Sequence, residues 1–192
     1  MVYDPAYFND RLLLGLKGTM SEAELHVLNA RLQGGMRNKA RRGELELPLP
    51  IGLVYHPNGS VVFDPDQQIQ ATLKLLFDTY RPIQSASMVV RRCRREGWLF
   101  PCRICAGIGK GELQWSTLNT SRALQILHNP RYAGAFVYGR TRTGRKADLS
   151  STQLKVPRAD WQVLIREAHV GYIDWDELGA QPGSAQAECW GI

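Results

Sequence analysis

Cys102-Arg-Ile-Cys105 is the spacing in this chain that most resembles a reactive centre. Two cysteines so placed can hold zinc or cycle through a disulfide. A closed zinc site takes four ligands, commonly two such pairs. The remaining cysteines, Cys93 and Cys189, do not form a second pair. No thioredoxin-like context surrounds the motif, so it reads as two loop thiols. His26, His56, His128 and His169 each stand alone, without a His-x-x-x-His or a carboxylate pair. A lone histidine is more often structural than catalytic. Gly107-Ile-Gly109-Lys110-Gly111 has a faint phosphate-loop character but lacks the full P-loop spacing and its strand-to-helix setting. No catalytic residue, metal ligand or cofactor site is assigned.

Cations interleaved with aromatics give a second kind of chemistry. Trp98, Trp115, Tyr132, Phe136 and Tyr138 lie among Arg91, Arg92, Arg94, Arg95, Arg122, Arg131, Arg140, Arg142, Arg145 and Lys146. Arginine forks onto phosphates and guanine edges, and small polar side chains near a helix start hold phosphate oxygens. Ser116, Thr117, Asn119 and Ser121 are such donors. Core packing is the competing role for the aromatics, and it is preferred for Trp115, Tyr132 and Phe136.

The charge is segmented. Residues 81–146 hold 13 basic and 2 acidic groups, a local +11. Residues 1–43 carry +3, and residues 44–80 and 147–192 carry −4 each, leaving +6 for the whole. A dense positive field favours a polyanion, because neutralised phosphates release counterions. A solvated charged face is the plainer alternative.

The elements that must position these groups follow from pattern. Ser21 and Glu24 make a capping box, and Leu25, Leu28, Leu32 and Met36 make one helical stripe ending in Arg37, Lys39, Arg41, Arg42 and a Gly43 stop. Ile51–Tyr55 and Val61–Phe63 flank Asn58-Gly59, which predicts a β-hairpin. Asp64-Pro65-Asp66 opens a helix with Ile69, Leu73, Leu76, Phe77 and Tyr80 inward, broken by Pro82. Ser85 caps a helix over 86–96, with Met88, Val89 and Cys93 inward and its arginines outward. Residues 97–114 read as a loop, and Trp115 to Thr120 leads into a helix over about 120–128 that ends at Asn129-Pro130. Tyr132–Tyr138 alternates as a strand, Arg140–Lys146 is a basic loop, Trp161–Ile165 is a strand and Asp174–Leu178 a short helix. The residues after Leu178 have no period.

At 192 residues and 21.6 kDa, with 44% hydrophobic and 22% charged residues, the composition is that of one globular domain. No apolar run approaches a membrane span of ~18 residues, and the first residues lack the basic and apolar regions of a signal peptide. A cytoplasmic location is expected.

Several phrases together resemble the large serine recombinases. They are Leu13-Leu-Gly-Leu-Lys-Gly-Thr-Met-Ser-Glu-Ala-Glu-Leu25, the basic tip from Arg31 to Gly43, Pro50-Ile-Gly-Leu-Val-Tyr55, Leu99-Phe-Pro101, Ile126-Leu-His-Asn-Pro-Arg-Tyr-Ala-Gly134 and Val137-Tyr-Gly-Arg140. The resemblance covers about residues 3–178. It implies a DNA-binding recombinase domain preceded by a long helix, within a protein that elsewhere carries a resolvase-like catalytic domain and a zinc ribbon. The expected fold class is α+β, a small helical DNA-binding domain with short antiparallel β-hairpins. The expected division is a catalytic-domain remnant over 1–20, a connecting helix and linker over 21–47, the recombinase domain over 48–178 and an unstructured tail over 179–192. No serine precedes Ser21, so the resemblance implies a fragment from a mobile element, inactive in strand cleavage by itself. Carried onto this chain, Arg37, Lys39, Arg41 and Arg42 lead into the minor groove. Arg91, Arg92, Arg94, Arg95 and the segment Trp115, Ser116, Thr117, Asn119, Ser121 and Arg122 approach backbone and major groove. Arg131, Arg140 and Arg142 add phosphate contacts. The implied partners are double-stranded DNA and a second copy through the long helix. The rival readings are a non-catalytic DNA-binding regulator and a Cys/His metal-dependent enzyme.

Overall fold

A computed structural model of the chain describes residues 6–104, 111–145 and 151–180. It divides into two compact units, Met1–Leu45 and Glu46–Ile192.

The first unit is one helix, α1 (Phe8–Arg41). Expected to start at Ser21, it begins a full three turns earlier, after an extended Tyr7, and Ser21 lies exposed inside it. A capping box stops a helix only where the preceding residues resist helicity. Residues 8–20 contain no proline, and their leucines, Lys17 and Met20 favour helix enough to carry Gly15 and Gly18, each costing about 1 kcal/mol. The stop is as expected. Gly43 adopts φ 73°, its N–H donates to the Ala40 carbonyl and the Glu44 N–H donates to Lys39, both at 3.0 Å. This is the double bond of a glycine-terminated helix. The apolar residues form two stripes rather than one. Leu12, Leu13, Leu16 and Met20 face one way, and Leu25, Leu28, Leu32 and Met36 lie roughly 150° round at 100° per residue. All eight are exposed.

The second unit is α+β. Among the described residues its strands pair in four separate two-stranded antiparallel sheets. The first is the expected hairpin, β1 (Leu53–Tyr55) with β2 (Val61–Phe63), in register Val54↔Val62. In its turn the Asn58 side chain accepts from the Ser60 N–H at 3.0 Å. Next comes α2 (Gln67–Ile83), whose first turn is held by the Asp66 carboxylate accepting from the Gln68 N–H at 2.8 Å. Its five expected apolar residues are all buried. Pro82 does not break it: the proline forgoes the N–H bond to the Asp78 carbonyl, but the helix runs only one residue further and ends at Gln84, in the left-handed region at φ 54° with its N–H on the Tyr80 carbonyl at 2.8 Å.

α3 (Ala86–Arg95) buries Ala86, Val89, Val90 and Cys93. Met88, expected inward, is 52% exposed because it lies three and four residues before Arg91 and Arg92, on their side of the helix. The expected loop over 97–114 and the start of the expected helix entry at Trp115 instead hold a strand pair, β3 (Leu99–Arg103) and β4 (Leu113–Thr117), with Pro101 opposite Trp115. The proline and glycines there signalled irregular chain; as the edge of a two-stranded sheet, β3 tolerates a proline. α4 (Thr120–Leu127) follows, then a 3-10 turn (Pro130–Ala133), so only the end of the expected strand over 132–138 is extended. That end, β5 (Phe136–Tyr138), pairs with β8 (Val163–Ile165). β6 (Thr141–Arg145) pairs with β7 (Ser151–Lys155), where a loop was expected. α5 (Trp175–Ala180) ends the described chain.

One core joins α2, α3 and α4. Leu73, Leu76, Phe77, Val89, Cys93, Phe100, Leu118, Leu127 and Tyr132 are each at most 2% exposed. Two tyrosines tie this core to the first hairpin. The Tyr132 hydroxyl donates to the Ile51 carbonyl and the Tyr172 hydroxyl to Gly52, both at 2.8 Å, and their rings meet edge to face at 5.8 Å. Burial holds the Tyr132 phenol far above its ordinary range and pushes Tyr172 up to about 12. Both therefore remain hydrogen-bond donors at any working pH.

Candidate nucleic-acid interface

The α3 helix separates its residues by face. Ala86, Val89, Val90 and Cys93 occupy one arc, and Arg91, Arg92, Arg94 and Arg95 occupy the opposite one, all four exposed. Buried methyls anchor the helix to α2 and α4 while four guanidiniums face water. Arg95 meets Glu96 at 3.3 Å in an exposed pair that contributes little. Among the described residues no carboxylate pairs with Arg91, Arg92 or Arg94.

The Trp115–Arg122 segment divides between surface and scaffold. Asn119 caps α4, its side chain accepting from the Arg122 N–H at 2.8 Å. Thr117, Asn119 and Ser121 are exposed, whereas Trp115 and Ser116 are half-buried. Arg122, expected on DNA, turns inward: its guanidinium donates to the Pro101 carbonyl and to the Ser116 hydroxyl. It braces the β3–β4 pair against α4.

Arg131 is also drawn inside. It is 6% exposed, lies 5.3 Å over the Phe136 ring and has one terminal nitrogen without a partner among the described residues. Burial lowers its pKa, with the Tyr55 hydroxyl opposing. The 3-10 turn that follows Asn129-Pro130 puts this side chain on the core side. Arg140 stays exposed and donates to the Asn129 side chain at 3.4 Å. Both arginines line an open cleft of about 560 Å³ with Pro48, Pro50, Asn129 and Tyr138. Although the residue as a whole is exposed, the cleft wall partly desolvates its guanidinium, and this together with the neighbouring Arg131 charge lowers the Arg140 pKa. Arg142 is exposed on β6, opposite Leu154.

In the first unit Arg37, Lys39 and Arg41 are exposed at the end of α1, where cations suit the helix dipole. Arg42 instead forks onto Glu44 at 2.9 and 2.8 Å. That hydrogen bond lowers the Glu44 carboxyl.

The other reactive types stay apart. Cys93 is buried and its thiol is raised by desolvation, and Cys102 sits half-buried on β3. Cys105, Gly107, Gly109, Lys110, Lys146 and Cys189 lie outside the described residues. His128 and His169 are half-buried, and burial lowers both. His169 bonds the Arg131 carbonyl at 2.9 Å. Among the described residues no three His, Cys, Asp or Glu side chains cluster as metal ligands.

Two further cations, Arg158 and Arg166, were missed in the sequence. Arg140 and Arg158 lie 5.7 and 5.8 Å from the Trp161 ring centre, and Arg158 and Arg166 lie 4.2 and 5.1 Å from that of Trp175. Counting charge by segment hid them, because residues 147–192 are net acidic. The usable signal was the alternation Arg158, Trp161, Arg166, Trp175.

Helices that bury one face and offer arginines on the other, with small two-stranded sheets as braces, suit a module that binds a polyanion. The family model named Recombinase matches residues 67–180, and the chain belongs to that family, the large serine recombinases. The chain is also 69% identical over 191 residues to the "Uncharacterized protein y4bA/y4pH" of Sinorhizobium fredii (strain NBRC 101917 / NGR234). That alignment covers all of this chain and 28% of the relative's length. No solved structure matches the chain. Among the described residues no helix is long and apolar enough to cross a membrane.

Proposed function

We propose that this chain is the double-stranded-DNA-binding module of a site-specific serine recombinase, acting in the integration or excision of a mobile element. The observation that carries this is the α3 face, where Arg91, Arg92 and Arg94 stand exposed without carboxylate partners among the described residues. Phosphate contacts from such a row fix register on the duplex, and the exposed Thr117, Asn119 and Ser121 add donors. Arg140 and Arg142 extend the surface, and Arg37, Lys39 and Arg41 at the α1 tip supply a second group of cations. Arg122 and Arg131 act as internal braces in this reading rather than as DNA contacts. The two exposed stripes of α1 are suited to a second copy of the chain. Selection from a random duplex pool tests the proposal. Recovery of a shared sequence supports it, and retention no better than that of an acidic protein of equal size overturns it.

The segment supplies binding and not strand cleavage. A nucleophilic serine needs an activating partner. Among the described residues, the serines with a side-chain partner meet no general base: Ser60 bonds Asn58, Ser85 meets Ser87, and Ser116 accepts from Arg122. Incubation with supercoiled plasmid carrying the selected site leaves it intact; nicking would contradict this.

A further inference from the structure

Three arginines and two tryptophans from separate segments meet on the second unit. Arg140 follows β5, Arg158 opens a 3-10 turn (Arg158–Asp160), Arg166 follows β8, and Trp175 begins α5. Trp161 is fixed by its indole N–H donating to the Val156 carbonyl at 3.0 Å. Each ring is contacted by two guanidiniums, so Arg158 is shared between both tryptophans. Cation–π contact holds a guanidinium in place but leaves its charge unneutralised.

Among the described residues these charges are not met. Asp160, Glu167, Asp174, Asp176 and Glu177 are close in sequence, yet no described carboxylate pairs with Arg140, Arg158 or Arg166, and Glu177 is taken by Arg81 at 2.7 Å. Burial and the neighbouring Arg166 both lower Arg158, as expected for cations gathered without a counter-charge. One terminal nitrogen of Arg158 is buried without a hydrogen-bond partner among the described residues, so the series offers its charge to solvent chiefly through the exposed Arg140 and Arg166 at its ends. Three like charges held in sequence cost free energy that an external anion would offset. The guanidiniums lie in a row, alternating with the tryptophans, and a row of cations matches a row of phosphates better than one small ion.

We propose that the Arg140–Trp161–Arg158–Trp175–Arg166 series is a phosphate-backbone contact for double-stranded DNA. It carries the interface beyond the basic middle of the sequence into residues 158–175, which are acidic by count. The inference rests on the DNA-binding reading above. Arg140 joins the series to the surface already assigned, and Arg158 and Arg166 are its new members.

The test is a salt titration of the full chain on a mixed-sequence duplex of about 30 base pairs. Each phosphate contact contributes about 0.9 to the slope of log K against log salt. Arg166→Gln, on an exposed side chain that leaves the fold intact, is expected to reduce the slope by roughly 0.9, and Arg158→Gln with Arg166→Gln by roughly 1.8. Between 50 and 200 mM salt this shrinks the loss of affinity about 3.5-fold per contact. Arg166→Lys, which keeps the charge, is expected to retain the wild-type slope. An unchanged slope in Arg166→Gln overturns the proposal while leaving the DNA-binding reading standing. A wild-type chain that does not bind the duplex overturns both. Displacement of the duplex from this series by inorganic phosphate or polyglutamate at equal charge concentration, lost in the Arg166→Gln variant, identifies a general anion site and also overturns it.

Discussion

Gly171 shows how closely the backbone is fitted around the 3-10 turn at Pro130–Ala133. A Cβ there would lie 2.7 Å from both the Gly134 nitrogen and the Tyr132 carbonyl oxygen, and these are backbone atoms that have no room to yield. The same stretch carries the Tyr172 N–H to Tyr132 carbonyl bond at 2.7 Å. Gly171→Ala is expected to cost about 1–3 kcal/mol or more, read as a lower urea midpoint. The histidines make a pH prediction. Burial depresses His128 and His169 in the folded state, so below about pH 6.5 the unfolded chain binds more protons than the folded one. Stability from these groups is full above pH 6.5 and falls as the pH drops toward their folded values. Urea midpoints at pH 7.5 and 5.5 should differ, and His128→Gln with His169→Gln should narrow the difference. A midpoint that rises on acidification would contradict the assignment.

Elements were legible where a period ran long enough to leave one choice. The apolar face of α2, the Asn58-Gly59 hairpin and the arginine face of α3 were all readable from spacing. The β3–β4 and β6–β7 pairs were not. Their strands contain Pro101 and Gly144 and expose much of their surface, so alternation is weak and pairing is decided by the neighbouring strand. The placement of the candidate arginines was legible in part for the same reason. Helical arginines could be assigned a face, but Arg122 and Arg131 lie at a cap and a 3-10 turn, where pattern gives no direction. Two substitutions separate the roles within elements. Asn119→Ala removes the α4 cap and should cost about 0.5–2 kcal/mol. Leu76→Ala, at a wholly buried site on α2, should cost about 2–5 kcal/mol. Calorimetric or denaturant unfolding checks both, and the larger loss must fall on Leu76.

For the whole molecule, a net +6 says little until the charge is placed on surfaces. Exposed cations lie on the α1 tip, the α3 face and the arginine–tryptophan series, and the acidic segments supply few partners for them. The exposed apolar side chains of α1, among them the eight of its two stripes, form an unusually large apolar surface, which motivates the proposed pairing of two chains. Leu25→Gln, Leu28→Gln and Leu32→Gln together should halve the mass seen by sedimentation if that stripe is the contact. A mass unchanged by these substitutions would remove it. DNA binding itself is tested most directly by the affinity of the full chain for a duplex across 50–200 mM salt, beside a variant with Arg91, Arg92 and Arg94 changed to glutamine. The α3 face as the interface predicts a steep negative slope of log K against log salt that flattens by roughly 2 to 3 in the variant. Equal slopes for the two proteins, or a wild-type affinity indifferent to salt, would contradict it.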